Sequence, residues 1–198
     1  MSYFFTADQH FGDDSFNILE REMRPFKTPD ESRDRQLETW NTQATDSDII
    51  YAVGDFCNYN SLETNYESGL KVAALVKANI ILITGNSEDR VIKNHFGGDF
   101  ESFRVYCIEE CGFSEVRKED YVTINGRRWH IVHKPVDCVD DCLNLYGHTH
   151  RGGGIYRPYG FNVGADLHHF RLVSEADLDN LLDQKEWWDK DDDILKFQ

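Results

Sequence analysis

Three apolar runs of this chain stop at a glycine that is followed at once by a polar residue. They are DIIYAVGD ending at Asp55, NIILITGN ending at Asn86 and CLNLYGH ending at His148. A run that stays apolar through successive residues is a strand covered on both faces, because an exposed face would alternate with polar side chains. Strands of that kind need helices or a second sheet on either side. The connecting segments supply helices. TPDESRDRQLETWN offers Thr28 as N-cap, Pro29 at the first helical position and Glu31 to complete a capping box, with Leu37 and Trp40 as the apolar face. SGLKVAALVKAN has the pattern of a second amphipathic helix, and SYFFTA that of a first buried strand. Strand and helix alternate through the first half, which predicts a mostly parallel sheet with crossover helices.

The second half differs. YVTINGRRWHIVH holds Asn125-Gly126 between two alternating runs, a strong hairpin signal. GGGIYRPYGFNVGA suggests short strands and turns, and SEADLDNLL a closing helix capped at Ser174 with Asp177. The expectation is an α/β fold with two sheets face to face and helices outside. One domain over residues 1–184 is expected, followed by an acidic, solvated tail over 185–198.

Composition bounds the function. Hydrophobic residues make up 40% of the 198 and aromatic ones 13%, enough for a packed core. The net charge of −15, with no basic cluster beyond Arg127 and Arg128, argues against long DNA or RNA and against an anionic membrane. No apolar run is long enough to span a bilayer, and MSYFFTADQH lacks the basic and apolar parts of a signal peptide, so a cytoplasmic location is the expectation. Five cysteines, an odd number, are expected as reduced thiols. The pairs Cys107/Cys111 and Cys138/Cys142 are spaced more widely than zinc pairs usually are and lie among core-like residues.

In open α/β sheets ligand groups gather at the carboxyl ends of strands. Those ends carry Asp8 and His10 from ADQH, Asp55 from VGDF, Asn86 from TGNS, His133 from IVHKP, and His148 and His150 from YGHTH. Residues two apart on a strand share a face, so Asp8 and His10 can hold one ion together. His148 and His150 can do the same, or divide between two ions. Oxygen and imidazole donors without thiolate suit Mn, Fe, Zn or Ni. A carboxylate such as Asp55 can bridge two ions, and two ions ~3.5–4 Å apart clamp a phosphorus centre.

The motifs DQH, GD, GN, VH and GHTH, in this order, resemble the calcineurin-like metallophosphoesterase superfamily. ADQHFGD, RPF at 24–26, TWN at 39–41, VGDF, TGN, VHKP, YGHTH and FNVGADLHHFRLVS are similar to a subgroup of small bacterial and phage phosphoesterases. The resemblance runs from about residue 3 to 174. It implies a four-layer α/β/β/α sandwich of two mixed sheets and two divalent ions, with Mn²⁺ the foremost choice. It assigns Asp8, His10 and His150 to the first ion, Asn86, His133 and His148 to the second, and Asp55 to both. It also implies attack by a hydroxide held between the ions, on a small phosphomonoester or phosphodiester such as a nucleotide.

One motif departs. The resemblance leads one to expect histidine after GN, and this chain has Ser87 in GNSED. Ser87 therefore stands where an acid would assist the leaving group. His95, Glu88, Asp89 and Arg90 are the nearby candidates to replace it, although Glu88 to Arg90 also fit the solvated start of a helix. Arg151 is a candidate phosphate contact or a surface arginine, and His168 and His169 are expected to be structural. The competing function is a scaffold of the same fold with weak or no turnover, which Ser87 favours and the complete ligand set opposes. A nuclease acting on polymers is disfavoured by charge.

Overall fold

A computed structural model of the chain describes residues 1–12, 16–156 and 160–190. Its first sheet contains β1 (Tyr3–Thr6), β2 (Ile49–Val53), β3 (Asn79–Ile83) and β4 (Glu115–Arg117), all parallel, with β10 (Val173–Ser174) antiparallel on the outer side of β1. The second contains the hairpin β5 (Asp120–Ile124) and β6 (Arg127–Ile131), then β7 (Leu143–Tyr146), β9 (Gly160–Asn162) and β8 (Ile155–Tyr156). β6, β7 and β9 run parallel, and the hairpins at either side make the sheet mixed.

The central strands separate two cores by simple alternation. Ile50, Ala52, Ile80 and Leu82 face the helix side, with Trp40, Leu70, Val91 and Phe103. Tyr51, Val53, Ile81 and Ile83 face the other sheet, where Trp129, Ile131, Leu145 and Phe161 meet them. Each strand is therefore buried on both faces, as its unbroken apolar run requires. Helices α2 (Pro29–Gln43), α4 (Asn86–His95) and α5 (Phe100–Tyr106) accompany the first sheet, with the shorter α1 (Phe16–Arg21) and α3 (Tyr66–Leu70). Helix α6 (Glu175–Lys190) lies on the other side, its Leu178 and Leu182 in the inter-sheet core and its Asp179 accepting from Asn125 and Arg127 of the hairpin.

Local signals account for most boundaries. Thr28 accepts the Glu31 amide at 3.1 Å, and Glu31 reaches back to the Lys27 amide at 2.7 Å, one residue before the cap. Asn125 and Gly126 both have positive φ, 51° and 75°, as a tight two-residue hairpin requires. Two expectations change. SGLKVAALVKAN is not one helix: α3 ends at Leu70 and a 3₁₀ turn, Lys71–Leu75, follows. Glycine at position 69 lets the segment hug the neighbouring loop, because a Cβ there would run into the Phe11 carbonyl. Helix α6 runs past residue 184 into the expected tail, and 191–198 lie outside the described residues. All five cysteines are free thiols, with Cys57, Cys107 and Cys111 buried and Cys138 and Cys142 only half-buried. Among the described residues no helix is long and apolar enough to cross a membrane.

Candidate metal centre

The carboxyl ends of β1, β2, β3, β6 and β7 converge, and the loops that follow them are laced together by main-chain hydrogen bonds. The Asp8 amide donates to Gly54 O at 3.0 Å, His10 to Asp55 O at 2.9 Å, and Gly147 to His133 O at 3.0 Å. Pleat alternation does not set the donors, contrary to the expectation for Asp8 and His10. Both lie beyond β1, and Asp8, His10, Asp55, His148 and His150 all hold positive φ, between 48° and 72°. Non-glycine residues rarely adopt that region, and it costs of order 1–3 kcal/mol each where it persists. The laced loops hold these residues in left-handed turns that swing their side chains into one place.

Asp55 is the centre of the arrangement. Its Oδ2 lies 3.7 Å from His10 Nε2 and its Oδ1 3.6 Å from His133 Nε2. Both of those nitrogens are buried without a hydrogen-bond partner. The other nitrogen of His133 is engaged with Val53 O at 2.9 Å, which leaves Nε2 aimed inward. Buried imidazole nitrogens are normally satisfied. Orphans beside a carboxylate, at the spacing of ligands that each stand about 2.1 Å from a shared ion, fit a divalent cation. Asp8, His10 and His150 bring donor atoms within 4.8 Å of one another, and so do Asp8, Asp55 and His133. Asp8 thus belongs to both groups, whereas the resemblance placed it in one. Asn86 and His148 face each other at the rim, Nδ2 to Nδ1 at 3.1 Å, with the His148 ring 5.2 Å from that of His133.

The electrostatics suit ligation. Burial holds His10 neutral, its pKa lowered to about 3 despite the attraction of Asp55. Burial, then repulsion by Asp55, raises the Asp8 carboxyl well above the usual range. Burial also acts to raise Asp55, but the neighbouring His133 and His10 outweigh it and its pKa is lowered. Two carboxylates packed this closely without a cation repel each other, and a divalent ion relieves the repulsion.

The sequence matches no family profile. MJ1445, an uncharacterized protein of Methanocaldococcus jannaschii, is 24% identical over 180 residues, 86% of this chain and 85% of its own. The structure of AQ665 from Aquifex aeolicus, of unknown function, superposes with a TM-score of 0.65 at 20% identity, covering 91% of this chain and 98% of that one. An archaeal phosphodiesterase superposes at 0.45 and 18% identity, over 83% of this chain and 84% of its own. Two mixed sheets, helices on both sides and donors at the strand ends complete the pattern. The fold is the four-layer sandwich of two mixed sheets expected from the sequence.

Within this fold five of the donors, His10, Asp55, Asn86, His148 and His150, line a cavity of about 230 Å³, together with Ser87, Tyr59, Asn60, Ile18, Arg21 and Arg90. A larger cavity, about 570 Å³, lies between α2 and the segment at His169 and Phe170, and it shares no residue with the donor set. Chemistry rather than size selects the smaller one. Ser87 is buried at its wall, and its amide donates to Asp55 Oδ1 at 2.8 Å. His95 is a correction: it does not reach the cavity, because Tyr59 lines the wall and takes the His95 ring on its hydroxyl at 3.0 Å. Glu88 is neither solvated nor open to the cavity. It is fully buried and accepts the amides of Asp55, Phe56, Cys57 and Gly85 at 2.9–3.1 Å. Burial and the nearby Asp55 raise its pKa to about 7. Asp89 is exposed. Arg151 donates to Met23 O at 3.0 Å and lies outside the cavity lining.

Two residues of the site were given no role in the sequence reading. Asp166 accepts His150 Nδ1 at 2.8 Å and is held by Arg24 through two contacts at 2.8 and 2.9 Å. Arg24 also donates to the carbonyls of Asp8 and Gln9 at 2.6 and 2.7 Å. Burial would raise the Asp166 carboxyl, but the bonds from His150 and Arg24 prevail and lower its pKa to about 2. An acid that fixes the far nitrogen of a ligand histidine orients the ring and keeps its free nitrogen inward. The motifs RPF and GADLHH contained both residues, yet an arginine and an aspartate 142 positions apart carry no pairing signal in sequence. His168 is structural, its Nε2 at 2.8 Å from Asn162 O, beneath the loop that carries His150.

Proposed function

We propose that the protein is a dimetal phosphoesterase that hydrolyses small phosphorylated substrates. The observation that carries this is Asp55 between two orphaned histidine nitrogens, one on each side. Asp8, His10, Asp55 and His150 would hold one divalent ion, and Asp55, Asn86, His133 and His148 the other, with Asp8 close to both. Ions bound there supply Lewis-acid charge for a phosphoryl group and lower the pKa of water toward neutrality. The chain's own residues do the rest. Arg24 and Asp166 hold the ADQH loop and His150 in register, Glu88 pins the loop at Asp55, and Ser87 N–H fixes one Asp55 oxygen. Mn²⁺ is the foremost candidate for this oxygen and imidazole set. The overall charge of −15 supports a small substrate over a nucleic-acid polymer.

The test is hydrolysis of 4-nitrophenyl phosphate and bis(4-nitrophenyl) phosphate by metal-stripped and Mn²⁺-loaded protein, with metal content measured. Stripping should abolish turnover and Mn²⁺ restore it. Asp55→Asn should lower kcat by about 10³-fold or more, because it removes charge that stabilises the transition state. Full turnover by protein free of all metal would end this reading. Stoichiometric Mn²⁺ without turnover would favour the scaffold instead.

A further inference from the structure

Two observations about the cavity wall beyond the donors point the same way. The first is charge. In a chain of net charge −15, the remaining wall presents two guanidinium groups, Arg21 at the end of α1 and Arg90 on α4, one turn past Ser87. Arg21 is paired with its neighbour Glu22 at 2.8 Å. Arg90 has no carboxylate partner among the described residues, only a 3.4 Å contact to Tyr59 O. The donor set holds just two carboxylates, Asp8 and Asp55, so two divalent ions leave it positive before either arginine is counted. A phosphomonoester dianion satisfies the ions and leaves Arg90 without an anion.

The second observation is the chemistry of the groups available to a leaving group. An arginine does not give up a proton near neutrality. Ser87 bears a hydroxyl, as weak an acid as an alcohol. The Tyr59 hydroxyl is bound to His95 at 3.0 Å and Asn94 at 3.2 Å. Glu88 is turned to backbone amides. A wall of this kind suits a leaving group that departs as a stable anion. An alkoxide is the opposite case, since its conjugate acid is about as weak as water, with a pKa of ~16. A phosphate is the favourable case, its second pKa being about 6.

We propose that the cavity takes a phosphoanhydride: a substrate whose cleaved phosphoryl group is joined to a second phosphate, with Arg90 and Arg21 on that second phosphate. This rests on the phosphoesterase function proposed above and names its substrate class. Water adds to the terminal phosphorus, and the bond from that phosphorus to the bridging oxygen breaks. The electron pair stays on the departing phosphate, and the water gives one proton to solvent. Guanidinium groups match the paired oxygens of a phosphate and stabilise the charge it gains. No proton needs to be delivered, which makes serine at position 87 compatible with turnover.

The experiment uses the full chain with Mn²⁺ in fixed excess. Methyl diphosphate, methyl phosphate and 4-nitrophenyl phosphate are compared as substrates. Binding of adenosine α,β-methylene diphosphate is compared with that of adenosine monophosphate by calorimetric titration. The expected result is kcat/KM at least 100-fold higher for methyl diphosphate than for methyl phosphate, and at least tenfold tighter binding of the methylene diphosphate. Arg90→Gln and Arg21→Gln should erase most of the binding preference and raise KM for methyl diphosphate about tenfold more than for 4-nitrophenyl phosphate. Equal binding of the two nucleotides, or a methyl diphosphate rate no better than that of methyl phosphate while the nitrophenyl ester is hydrolysed, overturns the inference and leaves the phosphoesterase reading intact. Failure on every ester and anhydride, with Mn²⁺ bound, overturns both.

Discussion

At the scale of single residues, the donor cluster depends on side chains outside it. Asp166 keeps a low pKa of about 2 because His150 and Arg24 bond to its charged form. The sign follows from that depression. The stabilisation is complete above the unfolded aspartate value, near pH 3.8, and is lost as pH falls toward about 2. Metal-free Asp166→Asn should therefore be less stable by about 2 kcal/mol near neutrality, with the gap to the parent closing between those two pH values. Urea unfolding at several pH values reads this directly, and a gap that persists at pH 2 would contradict it. The same variant should bind Mn²⁺ about 10–100-fold more weakly, as loss of a ligand's orienting partner does. Glycine matters equally at position 147. A Cβ there would lie 2.5 Å from Ala7 Cβ and 2.8 Å from Asp8 Oδ2. Gly147→Ala should cost about 1–3 kcal/mol through overpacking, seen as a lower urea midpoint, and an unchanged midpoint would show that the loops can yield.

At the scale of elements, helix α4 organises the loop in front of it. Its first turn carries Glu88, whose carboxylate gathers four amides, those of Asp55, Phe56, Cys57 and Gly85. The helix thereby fixes both its own start and the turn that holds Asp55 in a left-handed conformation, φ 52°. Glu88→Ala leaves these buried donors without an acceptor, at roughly 1–3 kcal/mol each. The expected loss of stability exceeds about 3 kcal/mol, and bound Mn²⁺ should fall with it. A variant of normal stability by denaturant titration would mean that water replaces the carboxylate. This residue also shows why an exposed-helix pattern misleads. SEDR looks solvated in sequence, and only the tertiary position of the β2 loop turns Glu88 inward.

At the scale of the whole molecule, the donor set spans both sheets. Asp8, Asp55 and Asn86 follow strands of the first, while His133, His148 and His150 follow strands of the second. Under the proposed function, ions bound between them would join the two sheets at one end of the sandwich and link metal binding to folding. At a free Mn²⁺ concentration 100 times Kd the added stability is about 2.7 kcal/mol per site, or roughly 5–10 °C in Tm for a chain of this size. Differential scanning calorimetry with Mn²⁺ and with chelator tests this. Asp55→Asn should lose most of the shift, and identical Tm values in both conditions would show that the sheets do not depend on the site.

What the sequence determined by itself is the set of strands, the order of chemistry-bearing residues at their ends, and the caps and turns. The runs at Ile49–Val53 and Asn79–Ile83 are apolar on both faces, which already requires two coverings. Thr28 and the Asn125-Gly126 turn act through contacts only a few residues away, so their roles are legible locally. The tertiary structure alone decided how the donors meet. Asp8 and His10 are turned by positive φ, with their amides held by carbonyls of the Asp55 loop, not by strand pleat. Tertiary packing also placed Tyr59 between His95 and the cavity, turned Glu88 inward and joined Arg24 to Asp166. Those outcomes rest on contacts between residues 31 to 142 positions apart, and distance along the chain erases their signal in any short stretch of sequence.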